Sequence, residues 1–275
     1  MSSPLSASRF PVHIALPHDH GSWVFLLSPL LIGLFIGGNW NSSTLYLSVA
    51  ALAAFFIRQP LTVAVKALAG RRTRKELPTA IWWAVLYGLL ALAALTALLI
   101  QGHVYLLWLA LPGVSIFVWH LVLVSRREER RQIGVDVLAS GALALAAPAA
   151  LWVSSGQPDA LGWWLWACTW FQSAASIVYA FLRLEQRVLK EVPPPAARFK
   201  MARRSLIYTT FNLACSAACS ALPFIPPMIW LAYAVQWLES LWGTYHPAVG
   251  HKPTRIGIRQ LLVSILFTVV FISVW

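Results

Sequence analysis

The residues of this chain best suited to chemistry stand together near its start, in Pro17-His18-Asp19-His20-Gly21-Ser22-Trp23. Two imidazoles beside a carboxylate can bind a metal, shuttle protons or hydrogen-bond a polar ligand. The metal use is poorly served. His18 and His20 are two residues apart, which does not place them on one helical face, and no third ligand is adjacent. A structural use stands beside these: Asp19 would complement the positive end of the helix that follows, and the cluster would cap and anchor it.

A second set of ionisable residues falls inside apolar runs. Asp136, Glu239, Arg58 and Arg183 lie about a turn within them, near the ends that carry the basic loops. An unpaired Asp or Arg at the centre of a membrane helix costs roughly 2.5–3.5 kcal/mol on insertion scales. Snorkelling lowers that cost near an end, so these four are natural ion-pair candidates. Arg58, followed by Gln59, and Arg183 end the second and sixth apolar runs; facing one cavity, they would hold a phosphate, diphosphate or carboxylate. The alternative is that each anchors its own helix. Gln172, Asn212 and Gln236 lie deeper, as interhelical hydrogen-bond partners or as cavity lining.

The elements that must position these residues are membrane helices. Hydrophobic residues make up 59% of the 275, charged ones 11%, and mean hydropathy is +0.69. A soluble core of this size cannot hide that much apolar surface. With a span requirement of roughly 20 apolar residues, helices are expected near 22–39, 44–65, 79–100, 104–124, 133–153, 160–182, 205–222, 224–242 and 256–275. Pro223, Pro226 and Pro227 mark either a tight turn between spans seven and eight or a broken re-entrant segment, which gives nine spans or eight. Residues 1–21 form a cytoplasmic N-terminal segment without the features of a cleaved signal peptide, and 22–275 a single transmembrane domain.

The net charge of +12 is an orientation signal and not a nucleic-acid patch, because all 21 Lys and Arg residues fall on one side of this arrangement. The alternate connections, NWNSS, QGH, SSGQPDALG and LPFIPP, hold none. The N-terminus is therefore expected in the cytoplasm and the C-terminus outside, in the cytoplasmic membrane. Trp40, Trp163, Trp164 and Trp275 then sit at the outer interface and Trp82, Trp83 and Trp242 at the inner one, as amphipathic anchors that need no other role. Cys168, Cys215 and Cys219 fall inside apolar runs and read as packing residues.

The loop order of helices one to four recurs in five to eight, with Ser28-Pro29 and Ala147-Pro148 as candidate equivalent kinks. Two four-helix halves plus a ninth helix, with a cavity opening to the basic side, is the expected bundle.

The opening motif resembles that of the bacterial YwiC-like membrane proteins, which typically reads Pro-x-(Glu/Asp)-His-Gly-(Ala/Ser)-Trp before a proline-containing span. Pro17 to Trp23 and Pro29 fit it, as do Arg58-Gln59-Pro60 and the run from Asp136 to Pro148 with its Ala-Ala-Pro-Ala-Ala stretch. The resemblance implies an integral membrane protein and no particular activity. More distantly, the helix count and long basic loops look like the UbiA-type intramembrane prenyltransferases. Those enzymes carry Asp-rich motifs for Mg²⁺ in the loops after helices two and six. Here the first such loop offers Glu76 and the second Glu185 and Glu191, without an Asp motif. That likeness therefore brings no metal mechanism, and no cofactor is named by these residues.

Three function classes follow. The chain binds an isoprenoid or other anionic lipid, or a small anion, in a cytoplasm-facing cavity, with His18, Asp19, His20, Trp23, Arg58, Gln59, Asp136, Arg183 and Glu239 as candidate ligand residues; or it is a transporter; or it is a non-catalytic assembly partner.

Overall fold

The computed structural model describes residues 12–16, 20–126, 133–223 and 225–275, with side chains from Ile14 and Trp23 onward in the first two stretches. Its helices are α1 (Val12–Ala15), α2 (His20–Gly37), α3 (Ser42–Phe56), α4 (Arg58–Leu68), α5 (Leu77–Ile100), α6 (Leu106–Arg126), α7 (Ile133–Ala144), α8 (Ala146–Ser155), α9 (Ala160–Gln186), α10 (Pro195–Cys219), α11 (Trp230–Tyr245) and α12 (Pro253–Val274). All nine expected segments are helical, and no strand occurs among the described residues. The chain is a polytopic helical membrane protein. Among the described residues, six segments are long and apolar enough to cross a bilayer: 42–68, 74–100, 106–126, 133–155, 160–186 and 253–274.

The remaining three explain why the count was hard to read. Trp23–Gly37 is apolar but short. The basic stretch expected as loop before the seventh span is helical from Pro195, so α10 carries Arg198, Lys200, Arg203 and Arg204 within its first turns. With 16 residues, α11 measures about 24 Å, short of a hydrocarbon core of about 30 Å. The proline segment turns between α10 and α11, which pack closely on one another.

Two segments break where proline requires it. Pro60 and Pro148 lack an N–H, and their rings crowd the carbonyl four residues back. Those carbonyls belong to Phe56 and Ala144, the last residues of α3 and α7. Pro29, the expected counterpart of Pro148, lies within an unbroken α2. The two candidate kinks thus differ locally.

At the centre of the bundle α2 packs on α8 through small residues. A Cβ at Gly33 would collide with the Ala147 carbonyl and Ala150, and one at Gly37 with Ser154. This four-residue glycine spacing lets two backbones meet where side chains would hold them apart. The Ser154 hydroxyl locks the far end, accepting from the Asn39 backbone N–H at 2.9 Å and donating to the Asn39 carbonyl at 3.0 Å. The main core gathers here, from Leu30, Ile32 and Leu34 of α2 to Leu165 of α9, Tyr233 of α11 and Phe267 of α12, with Cys168 and Cys219 packed against it. By contrast, α5 and α6 turn large apolar side chains such as Leu89, Leu92 and Val118 outward, as lipid-facing helices do.

Near the chain start, Ile14 and Ala15 of α1 are buried against Val63 and Ala64 of α4 and Ala80 of α5. Tyr87 donates to the Ala15 carbonyl at 3.3 Å. This part of the N-terminal segment is therefore docked on the bundle.

A candidate anion site at the basic end of the bundle

α9 positions the chemistry. Asp159 caps it, accepting from the Gly162 N–H at 3.1 Å, and the helix runs unbroken to Gln186. Along it Gln172, Ser176, Tyr179, Arg183 and Gln186 recur at steps of four and three and are all buried. That alternation keeps five polar side chains on one seam of a helix. Each reaches a neighbour: Gln172 donates to Gln236 of α11 at 3.3 Å, Ser176 to Gln260 of α12 at 3.3 Å, and Tyr179 to the Glu239 carboxylate of α11 at 2.8 Å.

The last two rungs are the most strongly charged. Arg183 is 2% exposed. One of its guanidinium nitrogens donates to the Gly243 carbonyl at 2.9 Å, the His246 carbonyl at 2.7 Å and Gln186 Oε1 at 2.9 Å. The end of α11 presents carbonyls without intrahelical partners and carries the negative end of the helix dipole, so a buried cation is well placed there. Gly243 is needed for this approach, because any Cβ on it would strike the Tyr179 ring and hydroxyl. Glu239, 8% exposed, receives both arms of Arg259, at 2.6 and 2.8 Å. The Arg259 guanidinium also lies over the Trp242 ring, 3.5 Å from its centroid, with Arg183 at 5.5 Å from the same ring.

Between these groups and the start of α12 is a recess of about 30 Å³ lined by Arg183, Trp242, His251, Arg255, Ile256, Arg259 and Gln260. Glu239 pairs with Arg259, whereas Arg183 bonds to neutral acceptors and, among the described residues, Arg255 has no ion pair; His251 can add a further charge on protonation. The recess also faces the first turns of α12, which hold no acidic residue. A helix N-terminus is a positive dipole end, where arginines repel and anions are welcome. Burial, and then the positive field of Arg255, Arg183 and Arg259, lower the pKa of His251 from its ordinary value. The arrangement suits a small anionic group of the size of a phosphate or carboxylate.

The sequence candidates divide between this site and other places. Arg183 lines the recess and Glu239 stands beside it, paired with Arg259, which falls within the ninth expected helix. Trp242 is more than an interfacial anchor, since it carries two guanidinium groups. Arg58 and Gln59 are half-buried at the start of α4, which packs on α1, α3, α5 and α6. The principal neighbours of α9 are α2, α7, α8, α10, α11 and α12. The two arginines thus sit in different packing neighbourhoods, and Arg58 does not line the recess. Trp23 packs on Phe56, with ring centroids 5.1 Å apart, in an aromatic cluster continued by Tyr87 and Trp83. The indole N–H groups of Trp23 and Trp83 are buried without a hydrogen-bond partner. Asp136 is exposed in the first turn of α7, where it complements the helix dipole. His18 and Asp19 lie outside the described residues, and His20 opens the backbone of α2. Among the described residues no group of three or more His, Cys, Asp or Glu side chains is placed to hold a metal ion.

The site residues missed by sequence reading are Tyr179, His251, Arg255, Arg259 and Gln260. Two signals were available: the step of four from Arg255 to Arg259, and the polar recurrence along an otherwise apolar α9.

The comparisons with known proteins name no activity. No solved structure matches the chain. A Bacillus subtilis (strain 168) protein, "Uncharacterized protein YwiC", is 23% identical over 230 residues, covering 81% of this chain and 87% of that protein. The family model described as "YwiC-like protein" matches residues 16–151, from the end of α1 into α8 and short of the recess. Over that stretch the chain is similar to the YwiC-like proteins.

Proposed function

We propose that this multi-pass membrane protein lies in the cytoplasmic membrane with its N-terminus inside, and binds an anionic headgroup or small anion in the recess between α9, α11 and α12. The orientation reading rests on the one-sided distribution of basic residues. The binding reading rests on one observation: Arg183, Arg255, Arg259 and His251 converge on a recess whose adjacent carboxylate, Glu239, is held by Arg259. The recess is small and its lining is largely cationic and polar, which favours headgroup oxygens or a small anion over an apolar tail. An acyl chain would lie instead along the lipid-facing flank, where Trp242, Ile258 and Leu262 are exposed.

Native mass spectrometry of protein purified in a neutral detergent tests this, together with the tryptophan fluorescence difference between wild-type and Trp242→Phe protein during titration with inorganic phosphate. Retention of anionic lipid, reduced about tenfold or more by Arg255→Ala with His251→Ala, supports a headgroup site. A fluorescence response to phosphate without lipid retention supports a small-anion site. Neither response in the folded wild-type protein refutes the reading.

A second reading, transport, is favoured by the polar seam of α9. It requires solute flux in proteoliposomes that Glu239→Gln abolishes; unchanged flux would remove its motive.

A further inference from the structure

Deep in the bundle, Gln172 of α9 and Gln236 of α11 face each other at 6% and 1% exposure. One amide hydrogen bond joins them, from Gln172 Nε2 to Gln236 Oε1 at 3.3 Å. The other two polar atoms of the pair, Gln172 Oε1 and Gln236 Nε2, are buried without a partner. Reversing both amides restores the same situation, with one donor and one acceptor left over. Reversing only one sets like atoms face to face. Nearby rungs of the seam are occupied differently: Ser176 donates to Gln260, and Tyr179 to Glu239.

Buried polar groups in native proteins are nearly always paired, with protein or with ordered water. The group that completes this rung must donate one hydrogen bond and accept another, as a hydroxyl does. A cation would find a single oxygen, and an anion a single donor. Short buried side chains occur close by in sequence, Ser173 and Ser176 on α9 and Ala232 one turn before Gln236 on α11. We propose that Gln172 and Gln236 form a binding site for one water molecule, which donates to Gln172 Oε1 and accepts from Gln236 Nε2. Gln172 lies eleven residues, about 16 Å along the helix, from Arg183. The water therefore sits well inside the membrane layer, at the far end of the polar seam that opens at the recess. It bridges α9 and α11 at a level where no lipid or bulk solvent would complete the amides.

Water-edited solid-state NMR on protein in lipid bilayers, labelled with ¹⁵N in the glutamine side chains, tests the site. The Gln236→Leu variant identifies the Gln236 signal, and the exposed Gln157 amide serves as the hydrated control. Magnetisation is expected to pass from water to Gln236 Nε2 in the wild-type protein, and to fall several-fold in Gln172→Leu, where the water loses its acceptor. Transfer to Gln157 without transfer to Gln236 overturns the proposal. Transfer that is undiminished in a folded Gln172→Leu protein also overturns it, because the water is then not shared. If Gln172→Leu fails to fold, the wild-type Gln236 signal alone decides.

Discussion

Arg259 grips Glu239 with two hydrogen bonds, at 2.6 and 2.8 Å, across the interface between α12 and α11. The carboxylate is almost fully buried, whereas the Arg259 side chain remains 41% exposed. The pair therefore joins the membrane-embedded seam to the open recess, and its two ends should respond differently to substitution.

Removing Arg259 leaves a buried carboxylate that still accepts from the Tyr179 hydroxyl. Arg259→Ala is expected to destabilise by about 2–4 kcal/mol, below the full cost for a wholly buried pair because its cation is partly solvated. Arg259→Met with Glu239→Gln should recover much of that loss. Thermal unfolding in detergent checks both, and equal losses in the single and double variants would contradict the pairing.

Arg183 is expected to be irreplaceable by lysine. Its Nη1 alone meets the Gly243 and His246 carbonyls and Gln186 Oε1, while the guanidinium plane lies over the Trp242 ring; a lysine ammonium ends one bond short of that nitrogen and has no such plane. Arg183→Lys should lower stability by about 1–3 kcal/mol and loosen the end of α11. Faster hydrogen exchange near residues 243–246 is the local sign of that change.

The helix crossing gives a prediction remote from the recess. Gly33→Ala places a methyl group against the Ala147 backbone and should cost about 1–3 kcal/mol. At Gly88 an added Cβ meets only the tip of Ile57 at 3.6 Å, so Gly88→Ala should not be destabilising. Midpoint shifts of opposite size would contradict this packing.

Anion binding should depend on pH through His251. Its pKa is held below the ordinary value by burial and by Arg255, Arg183 and Arg259, with Lys252 beside it in sequence and Glu239 answering Arg259 across the recess. A bound anion offsets that positive field and raises the pKa, so binding takes up a proton. Affinity is then flat at high pH, strengthens as pH falls through the bound-state pKa, and levels off below the lowered free-state pKa. His251→Gln should flatten the profile. Calorimetric titration with phosphate across this range, corrected for the anion's own ionisation, is the measurement; a wild-type profile that weakens on acidification would exclude the coupling.

Membrane residence and helical segments were legible in the sequence because both are local. A continuous apolar run longer than the hydrocarbon core has little alternative to a helix, whatever it packs against. The breaks before Pro60 and Pro148 are local too, each following from a missing N–H and a crowded carbonyl four residues back. Partner choice was not local. Nothing in the sequence distances said that Glu239 would meet Arg259 twenty residues on, since the pairing depends on how α12 returns against α11. Nor could the shared end positions of Arg58 and Arg183 reveal that they join different packing neighbourhoods. Apolar residues face lipid and neighbouring helices with almost equal ease, so hydropathy leaves rotation about each helix axis undecided. The tertiary structure decided it through close approach, by Gly33 against Ala147 and Gly243 beneath Tyr179, and those contacts turned scattered basic residues into one recess.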